Sequence, residues 1–164
     1  VAGAALDVVV AEGVGEDVVA VAAVDGVDAG AALQAVAATL APQGVVAVVG
    51  FSDRDRRKAA FYAPAYLKGH GYTVIPVNPR LEIGLGRPAY PSLLDVPVPV
   101  DVALLYQTPK RIGPAVDQAI AIGAKAVWMP LGVVEEEAAE RARAAGLLVV
   151  MDRCMMVEHK HLEE

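Results

Sequence analysis

The chain is predicted to fold as an α/β protein on a doubly wound parallel sheet, and three observations predict it. Five short apolar runs recur from residue 45 onward, at 45–50, 72–77, 100–106, 126–129 and 147–151. Unbroken Val/Ile/Leu runs mark strands buried on both faces, as parallel strands are. Between most of these runs lie helix-length segments on short links, the alternation that covers both faces of a parallel sheet with helices. Finally, the cations gather just after the runs: Arg54, Arg56, Arg57 and Lys58 after the first, Arg80 after the second, Lys110 and Arg111 after the third. Ligands of open α/β sheets bind beyond the carboxyl ends of the strands, so cations there point to an anionic ligand.

Taken in order, the strand at 45–50 is followed by a helix over 56–69, with Asp53 or Asp55 as its cap and Gly69 or Gly71 as its end. The strand at 72–77 leads into a connection broken by Gly84, Gly86, Pro88 and Pro91, with Ser92-Leu93-Leu94 as a short helical turn. Then come a strand at 100–106, a helix at 111–122 ending at Gly123, a strand at 126–129, a helix at 134–145 ending at Gly146, and a strand at 147–151. Numbered in chain order, these five core strands are expected in the order 3-2-1-4-5, with a crevice between the first and the fourth. Residues 1–44 are rich in Ala and Val and are read as an N-terminal extension with a helix at 29–41, ahead of a domain at 45–164. Val18-Val19-Ala20-Val21 recurs as Val45-Val46-Ala47-Val48. This is either an additional βα unit with its strand at 17–24 or chance repetition in a biased stretch, and the second reading is preferred.

A chain of 164 residues, 55% hydrophobic and 21% charged, fits one globular domain with a sizeable core. It has no apolar stretch long enough for a membrane span and no basic start like that of a secretory signal. Its one cysteine, Cys154, excludes an internal disulfide framework and fits a reducing cytoplasm. A net charge of −6 argues against nucleic-acid binding. Residues 1–53 hold no Lys or Arg at all, which makes the cations at the later strand ends stand out. The alternative for those cations is a solvated helix face.

Gly50 would let the backbone approach a phosphate where the following helix start presents free N–H groups, and Ser52 would add a hydroxyl. The dinucleotide fingerprint Gly-x-Gly-x-x-Gly is absent, because Ser52 and Asp55 stand where its later glycines would be. An NAD site wants an acidic residue after the second strand. Asn78, Pro79 and Arg80 stand there instead, and an Arg suits a ribose phosphate such as that of NADP or coenzyme A.

With these residues in view, 45–162 resembles the small bacterial CoA-binding proteins, whose Rossmann-like domain is similar to the CoA-binding part of the succinyl-CoA ligase α subunit. The resemblance rests on Val48-Val49-Gly50-Phe51-Ser52, the run from Gly71 to Pro79, Tyr90-Pro91-Ser92-Leu93, Val127-Trp128 with Gly132, and the run from Met151 to His159. Asp152-Arg153-Cys154 followed by Glu158-His159 is its most specific block. It covers nearly three quarters of the chain. It implies a coenzyme A site with Gly50 and Ser52 at the pyrophosphate and Asn78, Pro79 and Arg80 on the adenosine side. Gln107, Thr108, Pro109 and Gly132 would form the opposite wall. Phe51, Asp53, Arg54, Arg57 and Cys154 complete the candidate set, with backbone groups of 50–53 for the pyrophosphate and Arg54, Arg57 or Arg80 for the 3′-phosphate. Tyr106-Gln107-Thr108-Pro109 replaces an Arg-rich turn of the family, and Pro130 stands where the family has Gln.

Cys154, beside Arg153, is read either as a thiol facing the CoA sulfur or as a small buried hydrophobe. Cys154, His159 and His161 lack the paired cysteines of a structural zinc site, so no metal is assigned. No third member accompanies Cys154 and His159 as a hydrolytic pair. Trp128 is read as core, and Glu135-Glu136-Glu137 as a helix start favoured by the dipole. Phe51, Phe61, Tyr62 and Tyr66 are read as helix–sheet packing or as support for an adenine. The expectation is a cytoplasmic, non-catalytic module binding coenzyme A or an acyl-CoA, with a homo-oligomer open. The alternatives are an NADP-type oxidoreductase domain and a ligase-like subunit sharing CoA with a partner.

Overall fold

The computed structural model describes residues 44–163. The strand at 17–24 and the helix at 29–41 lie outside the described residues. Twelve short elements follow, opening with β1 (Val45–Val49), α1 (Ala59–Gly69) and β2 (Thr73–Val77). A two-residue-per-strand hairpin, β3 (Ile83–Gly84) and β4 (Arg87–Pro88), precedes a 3₁₀ turn at Leu93–Asp95. The second half runs β5 (Val102–Leu105), α2 (Pro109–Ala121), β6 (Ala126–Trp128), α3 (Glu136–Ala144), β7 (Leu148–Val150) and α4 (Met155–Glu163).

The five core strands form one all-parallel sheet, so the fold class read from the sequence holds. The strand order does not. The sheet runs β2-β1-β5-β6-β7, which is 2-1-3-4-5 when the core strands are numbered in chain order, and not 3-2-1-4-5. The edge beyond β2, where the third core strand was expected, carries Tyr90 in a parallel bridge to Val77. Tyr90 N–H donates to the Pro76 carbonyl at 3.1 Å, and Asn78 N–H donates to the Tyr90 carbonyl at 2.9 Å. The connection therefore closes that edge itself, and the chain crosses to the free side of β1. There Asp101 secures the new pair at its amino end: its carboxylate accepts Val45 N–H at 2.7 Å and pairs with Lys125 at 3.1 Å. The order reverses between β1 and β5, which moves the expected crevice from the first and fourth strands to the first and third.

Alternation along the strands divides the core into two layers. Ala47, Ala103, Leu105 and Val127 face one side with Ile112 and Val116 of α2 and Ala138 and Ala142 of α3. Val46, Val48, Leu104 and Trp128 face the other with Leu67 of α1 and Met155 of α4. Several boundaries move. α1 starts at Ala59 rather than 56, behind an extended Lys58 and without a side-chain cap from Asp53 or Asp55. α2 starts at Pro109, a first-turn position where the missing N–H costs nothing. α4 was not expected, because its sequence carries no clean apolar stripe. Among the described residues, no helix is long and apolar enough to cross a membrane.

Candidate functional site

The carboxyl ends of the five strands carry every residue singled out for ligand binding. At the end of β1, Gly50 adopts φ +83°, and a Cβ there would lie 2.0 Å from the Tyr106 carbonyl oxygen and 3.1 Å from Gln107 Nε2. Only glycine lets the ends of β1 and β5 meet this closely. Gly50 N–H donates to the Val77 carbonyl at 2.9 Å, so it is engaged by the sheet and not free for a phosphate. The chain then turns Phe51 fully into the core, under Gly84 and against Phe61, with ring centroids 6.0 Å apart. Ser52 Oγ accepts Arg54 N–H at 3.4 Å. Among the described residues, nothing takes the N–H groups of Ser52 and Asp53. Asp53 and Arg54 are exposed.

Arg57 is held elsewhere. Its guanidinium grips the Asp55 carboxylate at 3.0 and 3.2 Å, and its N–H donates to the same carboxylate at 3.1 Å. Those bonds hold the Asp55 carboxyl below its ordinary range and push Arg57 up. The guanidinium of Arg56 lies 5.2 Å above the centre of the Phe61 ring. At the end of β2, Asn78 ties two loops together. Its Nδ2 donates to the Phe51 carbonyl at 2.8 Å, and its Oδ1 accepts Arg80 N–H at 2.9 Å. Pro79 and Arg80 are exposed beside it.

The other half of the edge is built differently. A cavity of about 450 Å³ opens over the ends of β5, β6 and β7. Tyr106, Gln107 and Thr108 form its floor, Pro130, Leu131 and Val133 one wall, and Ala59, Tyr62 and Cys154 the rest. Burial, with smaller contributions from Cys154 and Tyr62, pushes the Tyr106 phenol well above its ordinary value. The walls are set by two further bonds. Gly132 N–H donates to Asp152 Oδ1 at 2.7 Å, with Asp152 in the left-handed region at φ +56°. Trp128 Nε1 donates to the Arg153 carbonyl at 2.8 Å. Gly132 and Asp152 thus shape the β6 and β7 loops.

Of the residues predicted from sequence, Gln107, Thr108 and Cys154 meet in the cavity, with Pro109 opening the helix behind them. Gly50, Ser52, Asp53, Arg54, Pro79 and Arg80 lie along the β1 and β2 ends. Phe51, Asn78 and Gly132 use their side chain or backbone to build the loops. Sequence reasoning missed Ala59, Tyr106, Leu131 and Val133 as lining, and read Tyr62 as helix–sheet packing or as support for an adenine. The position of Leu131 and Val133 in the turn that follows an apolar strand was the signal available.

Residues 44–160 match the family model described as CoA binding domain. The chain belongs to that family. It is similar to YneT of Bacillus subtilis, 32% identical over 114 residues that cover 70% of this chain and 84% of YneT. The ADP-forming acetate–CoA ligase I of Archaeoglobus fulgidus is 31% identical over 121 residues, which cover 68% of this chain but only 18% of the ligase. Among solved structures, a hypothetical protein of Pyrococcus horikoshii superposes with a TM-score of 0.75 at 40% identity, over 86% of this chain and 96% of that one.

Proposed function

We propose that this chain binds coenzyme A across the carboxyl edge of its sheet, as a binding module rather than a catalyst. The observation that carries the reading is the meeting of β1 and β5 at Gly50 and Tyr106, with anion-ready groups on one side of it and a cavity on the other. The donor set suits the ligand. The N–H groups of Ser52 and Asp53 would take the pyrophosphate, and Arg54 and Arg80 the 3′-phosphate. Arg57, already gripped by Asp55, would contribute less. The pantetheine arm would then run past Gln107 and Thr108 toward Cys154. Family membership supports the choice of coenzyme A over other phosphorylated nucleotides.

A second reading has one observation in its favour. The similarity to a fraction of an ADP-forming acetate–CoA ligase fits a chain that shares its CoA with a catalytic partner. Calorimetric titration with CoA, dephospho-CoA and NADP tests the first reading. CoA is expected to bind, and dephospho-CoA about tenfold or more weakly, for loss of the contact to a charged group. Binding of NADP without CoA would favour an oxidoreductase domain and overturn the proposal, as would silence with all three.

A further inference from the structure

The carboxyl edge changes character along its length. Around β1 and β2 it offers N–H groups, Arg54 and Arg80. Among the described residues, no charged side chain lines the cavity over β5, β6 and β7, whose walls are mostly apolar. Three of the lining side chains bear on its selectivity. Leu131 is 72% exposed and Tyr62 39% exposed, although both are large and apolar, and Pro130, next to Leu131 in the chain, is buried. Single exposed apolar residues are ordinary, but apolar side chains converging on one concavity mark a ligand surface. A free thiol at the end of a pantetheine arm would leave this wall against water.

We infer that the cavity selects the thioester: the ligand is an acyl-CoA with a small apolar acyl group, and Leu131, Tyr62 and Pro130 are its specificity residues. This rests on the CoA reading above and extends it. The phosphates anchor the nucleotide at the β1 and β2 ends, and the acyl group covers Leu131 and Tyr62 in the cavity. Each methylene buried there raises affinity roughly fourfold. The polar neighbours, Gln107 and Thr108, are left for the amides of the arm.

The test is calorimetry with CoA, acetyl-CoA and isobutyryl-CoA on the wild-type chain and on Leu131→Asp. Leu131 is exposed, so the substitution leaves the fold intact. Acetyl-CoA is expected to bind about fourfold tighter than CoA, and isobutyryl-CoA about sixtyfold tighter. Leu131→Asp is expected to bring the affinities of the three together. Equal affinity of all three for the wild-type chain would overturn the acyl reading and leave the CoA reading standing. An equal loss of CoA and acyl-CoA in Leu131→Asp would overturn the specificity role. No binding of any probe would overturn both readings.

Discussion

The two halves of the strand-end surface are built by opposite uses of the same groups. Around β1 and β2 the hydrogen bonds run inward. Gly50 N–H goes to Val77, and Asn78 goes to Phe51 and Arg80, so the loops are tied to the sheet and to each other. Around β5, β6 and β7 the bonds brace the walls from behind, through Asp152 to Gly132 and Trp128 to Arg153, and apolar side chains face the cavity. The difference teaches that a residue type in a motif does not tell whether its polar atoms meet a ligand or hold the loop that does. Asn78 looks like a ligand contact in sequence, and in the structure its amide ties two loops together.

The largest expected break in this contrast comes from Gly50→Ala. A Cβ 2.0 Å from the Tyr106 carbonyl, at a positive φ, forces the two halves apart where they touch. The combined strain and overpacking are expected to cost about 2–5 kcal/mol, read by urea unfolding, with CoA binding lost. Unchanged stability would show that the β1–β5 junction yields freely. Next in size is Asn78→Ala, which leaves the partly buried Phe51 carbonyl and Arg80 N–H without their partner. A cost of about 1–3 kcal/mol is expected. CoA affinity should fall through the phosphate end, whereas Asp152→Ala should weaken acyl-CoA binding more than CoA binding. Equal effects of the two variants on both ligands would erase the distinction between the halves.

Sequence and structure part at places with physical causes. The parallel sheet was legible because its five runs are continuous and apolar, a pattern set by burial on both faces. The strand order was not, since the Tyr90 bridge that closes the β2 edge is made by backbone groups any residue supplies. α4 escaped because its residues carry little apolar periodicity and it is placed by Met155 and the Trp128–Arg153 bond. In the candidate site, Gly50 was legible as a turn, but its nearness to Tyr106 was not, because that contact joins residues brought together by the corrected strand order. Leu131 was passed over because an exposed leucine in a turn carries no chemistry of its own.

The smallest expected effect concerns pH and sharpens the contrast from the cavity side. The Tyr106 phenol has its pKa raised, chiefly by burial, above an ordinary value of 10.0. The folded state keeps a proton that the unfolded chain gives up. The stability this confers is therefore full below pH 10 and declines as pH rises above it. Urea unfolding between pH 8 and 11 should show that decline, and Tyr106→Phe should flatten it. A wild-type chain whose stability does not fall across that interval would mean the phenol is better hydrated than the cavity floor implies.

The chain has a single tryptophan, and its indole is bonded to the carbonyl just before Cys154. The cavity wall is therefore wired to an intrinsic fluorophore. Any molecule that shifts the Arg153–Cys154 peptide alters the polarity around that indole, so the emission of the unlabelled protein becomes an optical signal of occupancy, usable in stopped-flow mixing without a dye.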